Sequence, residues 1–196
     1  MRYRADITAG SLKVPESRII ADMLLRGIGE QAWRETIIKQ NVLQVRNPAT
    51  AFRIARLVRM RLELMNAELW RLVRDGSNIV ATHALLAAAV KHSALLGDFL
   101  DLVVREQYRV FSKTLSKSLW EDYLGSCRSR DPEMPDWNES TRKRLRSTVF
   151  QILSQAGYLE STRTLRLQPV HISPQLVRYL QDHEEGYVLR CIEVSP

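Results

Sequence analysis

Cysteine is scarce in this chain. Cys127 and Cys191 are the two, far apart, and neither belongs to a CxxC pair. A structural zinc centre needs clustered Cys and His at short spacing, so none is expected. A disulfide between them stays open; two reduced thiols in a cytosolic protein is the preferred expectation. His83, His92, His171 and His183 are scattered along the chain. His83 lies on an apolar stretch and reads as a packed residue rather than a ligand. No P-loop, GxGxxG, GxSxG or HExxH occurs. Glu121 and Asp122 are adjacent, so on a helix they diverge by about 100° and do not share a site. Glu184 and Glu185 follow His183 with no metal partner at a useful spacing. No catalytic residue, metal site or cofactor is expected.

Long hydrophobic runs are also missing. The nearest is IVATHALLAAAVKHSALLGDFLDLVV, residues 79–104. Its charge-free part before Lys91 covers 79–90, short of the roughly 20 residues a bilayer requires. Lys91, His92, Asp98 and Asp101 interrupt the remainder, which predicts a buried core helix and no membrane partner. The N-terminal MRYRADITAGSLK has no apolar core, so no signal peptide is expected and a cytoplasmic location is.

What the chain has is positive charge and helical periodicity. Its 196 residues are enough for one large domain or two small ones. The net charge is +7 and the pI about 9.7, a balance that leans toward polyanions. PESRIIADMLLRGI predicts a helix with Pro15 in its first turn and a stop at Gly27 and Gly29. EQAWRETIIKQN predicts a second, with Trp33, Ile37 and Ile38 inward. Ile54, Val58, Leu62, Met65, Leu69 and Leu72 form one apolar stripe, which predicts a five-turn helix over 49–74. On that helix Arg53, Arg56, Arg71 and Arg74 share another side. A solvated face and a nucleic-acid surface are both open there, the first preferred. Further helices are predicted at 80–96, 98–109 and 114–125, then a Pro-containing loop, SCRSRDPEMPDW.

WNESTRKRLRSTVFQILSQAGYLES, residues 137–161, carries the sharpest signal. Leu145, Val149, Ile152, Leu153 and Ala156 fall in one sector and predict the core face of a helix over 139–156. Lys143, Arg144, Ser147, Gln151, Ser154 and Gln155 fall opposite. Arg142, Lys143, Arg144 and Arg146 make its front end basic, and Ser147 and Gln151 can hydrogen-bond bases or backbone. YLESTRTLRLQPVHI follows, with period-two alternation at 164–168, and predicts a β-hairpin carrying Arg163 and Arg166. A basic helix, a tight turn and a hairpin outline a winged helix, helix in the major groove and hairpin on the flanking backbone. The charge is local: residues 138–171 carry +4, residues 172–196 carry −2. SPQLVRYLQDH predicts a helix with Ser173 as N-cap and Pro174 next. YVLRCIEV predicts one more strand.

The expected architecture is therefore mainly α. A helical-bundle body spans 1–110 and a winged-helix-like region with a small β-hairpin spans 111–196, packed as two units or one. The expected DNA contacts are Arg142, Lys143, Arg144, Arg146, Ser147, Gln151, Arg163 and Arg166, with Arg53, Arg56, Arg71 and Arg74 as a possible extension.

Several blocks carry a family resemblance. YRADITAGSLKVPESRIIADMLLRG, then Trp33, NVLQ at 41–44, TAFRIARLVRMRLELM and LLGDFLDLVV resemble the small A protein of BREX phage-defence systems, a family once labelled a putative inner-membrane protein. The resemblance runs the full length and is most specific in the N-terminal block. It implies a cytosolic, non-enzymatic component encoded with a methyltransferase, an ATPase and other BREX proteins. It also implies a helical body similar to the antitermination factor NusB, and binding to double-stranded DNA. A protein–protein adaptor of the defence complex and an RNA-binding factor of the NusB kind are the alternatives. The membrane label conflicts with the interrupted 79–104 stretch.

Overall fold

The computed structural model describes residues 2–8 and 10–195. The protein is mainly helical. Helix α1 (Val14–Leu25) begins with Pro15 in its first turn and ends at Gly27, whose φ of 62° lies in the left-handed region that favours glycine. Helix α2 (Glu30–Ile38) turns Trp33 and Ile37 into the core, while Ile38 is half-buried.

The five-turn helix expected over 49–74 is two helices, α3 (Pro48–Leu62) and α4 (Ala67–Asp75). The first ends at Leu62, and an asparagine starts each of the two. The Asn66 side chain accepts the backbone N–H groups of Glu68 and Leu69, as Asn47 accepts those of Ala49 and Thr50 at the start of α3. Trp70 Nε1 donates to the Leu62 carbonyl across the break, 2.7 Å away. The apolar stripe stays in phase because both helices pack on α1 and on helix α5 (Asn78–His92). Ile54, Val58, Leu62, Met65 and Leu69 are buried, and Leu72 is half-buried.

Helix α5 is the centre of the body. Every residue from Val80 to Val90 is buried, and α1, α3 and α4 pack against it. Its alanines let those neighbours approach closely. The helices expected at 80–96 and 98–109 divide differently: α5 ends at His92, and α6 (Ala94–Asp98), a π-helical turn (Phe99–Val104) and α7 (Arg105–Arg109) run on from one another. Among the described residues no single helix is long and apolar enough to cross a membrane. α5 and the run Ala94–Arg109 together have the length and composition, but they meet at 109°.

Helix α8 (Ser118–Arg130) starts later than expected and extends through SCRSR, leaving the loop to 131–138. Helix α9 (Glu139–Gln155) matches its expected span. The hairpin does not form: there is no strand among the described residues. Two isolated antiparallel bridges stand in its place, Leu159 with Leu167 and Thr114 with Arg166. The winged-helix expectation is corrected to that extent. Leu165 has a φ of 52° and its N–H turns back to the Ser161 carbonyl, so too few extended residues remain for a ladder.

Helix α10 (Pro174–Asp182) forms as expected, but Ser173 does not cap it through its hydroxyl. The Ser173 N–H instead donates to Nδ1 of buried His83, 3.1 Å away. Residues 187–194 were expected as a strand and lie mostly in helix α11 (Gly186–Ile192). Val188, Cys191 and Ile192, at i, i+3 and i+4, all reach the core, a spacing that short apolar runs leave ambiguous until packing decides. Both cysteines are buried and free. The buried apolar residues on either side of position 110 join one cluster.

Candidate nucleic-acid interface

Helix α9 is anchored at its front by Asn138, whose side chain accepts the Thr141 N–H at 2.8 Å. Leu145, Val149, Ile152, Leu153 and Ala156 are buried, so the core face is where the periodicity placed it. Arg144, Ser147 and Gln151 lie at i, i+3 and i+7 on the outer face, and all three are exposed. Gln155 is exposed, yet its Oε1 accepts the Leu12 N–H and ties the N-terminal segment to α9.

The turn after α9 comes back beside this outer face. Lys117, Arg146, Ser147, Phe150, Gln151 and Thr162 line an open groove of about 370 Å³. Lys117 precedes α8, and Thr162 belongs to the turn bounded by the Leu159–Leu167 bridge. The groove therefore brings together three segments distant in sequence. A second groove of about 280 Å³, lined by Glu121, Trp137, Glu139, Arg142, Lys143 and Arg146, adjoins it and shares Arg146.

The expected bases are not equivalent. Arg142 sits 3.4 Å from Asp136 and its Nε donates to the Trp137 carbonyl. Lys143 pairs with Glu139 at 2.6 Å, Arg146 with Glu121 at 3.1 Å and Arg166 with Glu160 at 3.5 Å. Lys143 beside it holds the Glu139 carboxyl below its usual range, and Arg128 and then Arg142 do the same for Asp136. Arg144, Arg163 and Lys117 are exposed and carry no ion pair among the described residues. Lys117 and Thr162 were not singled out from sequence. Each is isolated there, and neither periodicity nor spacing marks it.

The four arginines of 53–74 do not make one stripe. Arg53 and Arg56 are exposed on α3, and Arg56 lines a separate cleft of about 450 Å³ with Trp33, Arg34, Phe52, Arg59 and Met60. Arg71 is exposed on α4. Arg74 is held by Asp75 at 2.7 Å and Asp22 at 3.4 Å. The main partners of α3 are α1, α2 and α5, and those of α4 are α1, α5 and α10, and none of the four arginines lines either groove at α9.

A sequence model of the family described as BrxA matches residues 1–184, nearly the whole chain. This chain belongs to the BrxA family. It is 54% identical over 194 residues to the BREX protein BrxA of Paramagnetospirillum magneticum, covering 99% of this chain and 98% of that one. It is 32% identical over 176 residues to the BREX protein BrxA of Escherichia coli O9:H4, covering 90% and 83%. A crystal structure of an uncharacterized protein from Magnetospirillum magneticum is similar across 100% of both chains, at 52% identity and a TM-score of 0.93. In this BrxA-family chain the groove lies between the segment before α8, α9 and the turn that follows.

Proposed function

We propose that this BrxA-family chain is a non-enzymatic, cytoplasmic DNA-binding component of a BREX phage-defence system, and that the α9 groove is its DNA contact. One observation carries the reading. Lys117 lines a groove whose wall presents Ser147 and Gln151, Arg144 shares their face of α9, Arg163 follows Thr162 of the rim, and all three stand exposed with no ion pair among the described residues. Free cations suit phosphates, and hydroxyl and amide groups suit either backbone or base edges. Paired Arg146 must leave Glu121 before it can serve a phosphate, an exchange that an exposed pair worth about 0–1 kcal/mol permits. The names of the relatives, BREX protein BrxA, support other BREX proteins as the expected assembly partners.

A salt-titrated fluorescence-anisotropy assay on a 20-bp duplex tests this. Each phosphate neutralised contributes about −0.9 to the slope of log K against log salt. Changing Lys117, Arg144, Arg146 and Arg163 together to Ala shallows the slope by up to about 3.6, with a melt close to that of the parent. Changing Arg53 and Arg56 leaves it unmoved. A parent with salt-independent affinity, or a folded quadruple variant with the parent's slope, removes the groove from consideration.

A second reading rests on the α2–α3 cleft. Trp33, Phe52, Met60 and Arg56, which has no ion pair among the described residues, have the composition of protein-interface cores, and Met60 and Leu64 are 46% and 42% exposed. That surface suits an adaptor role toward a BREX partner, and loss of co-purification on changing Arg56 and Met60, with DNA affinity intact, would establish it.

A further inference from the structure

Phe111 is the most exposed large apolar side chain of the described residues, at 89%. A lone exposed apolar residue is ordinary. This one is held on a rigid mount. Its backbone has a φ of 53°, a left-handed conformation that bulky residues rarely adopt. The Phe111 N–H donates to the Tyr108 carbonyl and the Ser112 N–H to the Gln107 carbonyl, closing the end of α7. On one flank the Tyr108 hydroxyl donates to the Gln168 carbonyl at 2.6 Å. On the other, the Leu167 N–H donates to the Lys113 carbonyl and the Leu115 N–H to the Leu165 carbonyl. The mount is thus stitched to the same arm, 165–168, that closes the turn beside the α9 groove.

The chemistry around the ring is cationic. Arg109 stands two residues before it, Lys113 two after and Lys117, in the groove itself, six after. Arg166, paired with Glu160, lies across the bridge from Thr114. Lys113 and Lys117 have no ion pair among the described residues, and Arg109 is paired only with its helical neighbour Glu106, at 3.6 Å. A six-residue stretch spans at most about 20 Å, so one nucleic acid of about six nucleotide steps reaches from the groove to the ring. Ser112 and Thr114 interrupt the apolar surface on one side, and only Val110, 58% exposed, adjoins it in sequence. A single aromatic among cations fits the π-face of a base with phosphates alongside better than it fits a broad apolar protein surface.

We propose that Phe111 is a base-stacking contact, so that the protein prefers duplex DNA with an unpaired tail or junction over fully paired duplex. The proposal rests on the α9 groove as a DNA site. Within a duplex the faces of the internal bases are covered by their neighbours and opening a step costs a few kcal/mol, so the ring stacks most favourably where a base is unpaired. Lys113 and Lys117 then hold the backbone on the way to the groove.

The test uses two probes sharing one 20-bp sequence, one blunt and one with a single-stranded tail of about six nucleotides carrying 2-aminopurine. The parent binds both, binds the tailed probe more tightly and quenches the 2-aminopurine. Phe111→Ala weakens tailed-probe binding by about five- to 150-fold and abolishes the quenching, while blunt-duplex affinity stays unchanged. Phe111→Trp retains both tail preference and quenching. A parent that binds neither probe overturns the groove and the stacking contact together. A parent that binds blunt duplex, with F111A matching it on the tailed probe, overturns the stacking contact and leaves the groove standing. A fall in oligomer mass of F111A by light scattering, with tail preference intact, also overturns it, because the ring would then face a second copy of the chain.

Discussion

Removing the Asp98 carboxylate should destabilise the protein by several kcal/mol. Asp98 is 5% exposed, at the end of α6 where the π-helical turn begins. Arg2 donates to it through Nε at 3.1 Å and through a terminal nitrogen at 2.8 and 2.9 Å. The Tyr3 and Tyr187 hydroxyls donate at 2.7 and 2.8 Å. One carboxylate thus ties the N-terminal segment and α11 to the core. In Asp98→Ala, Arg2, 56% exposed, turns to water at little cost. The two hydroxyls do not. Tyr3 is buried and Tyr187 half-buried, and each hydroxyl left without an acceptor costs about 1–3 kcal/mol. The sum is about 2–6 kcal/mol, and a chain of this length loses about 2–4 °C per kcal/mol, so the melting midpoint drops by about 4–24 °C. Burial pushes the Asp98 pKa up, but the bonds from Arg2, Tyr3 and Tyr187 outweigh it and hold it below the usual carboxylate range. A depressed carboxylate contributes stability above its unfolded pKa, near 4, and loses it as pH falls through the folded value. The parent–D98A gap in a calorimetric pH series should therefore be full at neutral pH and close in acid. A D98A midpoint within about 2 °C of the parent at neutral pH, or a gap that acid leaves unchanged, would refute the hub.

Three further outcomes follow from single contacts. Gly76→Ala places a Cβ 2.4 Å from the Leu72 carbonyl oxygen and 2.8 Å from Val80 Cγ1, so it should cost about 1–3 kcal/mol in a denaturant melt, and a neutral result would mean the α4–α5 corner yields easily. Burial, and then Arg61, lower the His92 pKa to about 4. His92 should stay neutral at pH 5 in an NMR titration, and its contribution to stability should be complete above its unfolded pKa of about 6.5 and fade as pH falls toward 4. Burial pushes both thiols up, Cys191 to about 11, so neither should react with a thiol reagent until the protein unfolds, and rapid labelling of the native chain would contradict their packing.

Periodicity and caps carried most of the helical layout. α1, α9 and α10 lie where Pro, Gly and the apolar spacing put them, and the core face of α9 was readable residue by residue, because an i, i+3, i+4 pattern is a property of neighbouring residues alone. The break of 49–74 at Asn66 was also written locally, in a capping residue that the unbroken stripe concealed. Other features depended on contacts between distant residues. The stretch 187–194 could serve as strand or helix until the core accepted Val188, Cys191 and Ile192 on one side. The hairpin shrank to single bridges because Leu165 turned back on Ser161. Asp98 read only as an interruption of an apolar run, since its partners Arg2 and Tyr187 are some ninety positions away. The same holds for the candidate site. Sequence identified the basic face of α9, but whether a base is free or held is decided by folding: Arg146 meets Glu121 from α8, Arg144 meets no acid among the described residues, and Lys117 and Thr162 join the groove only when three segments converge. Helical phase is fixed over a few residues by backbone geometry, whereas charge pairing and groove formation are fixed by which surfaces the whole core brings together.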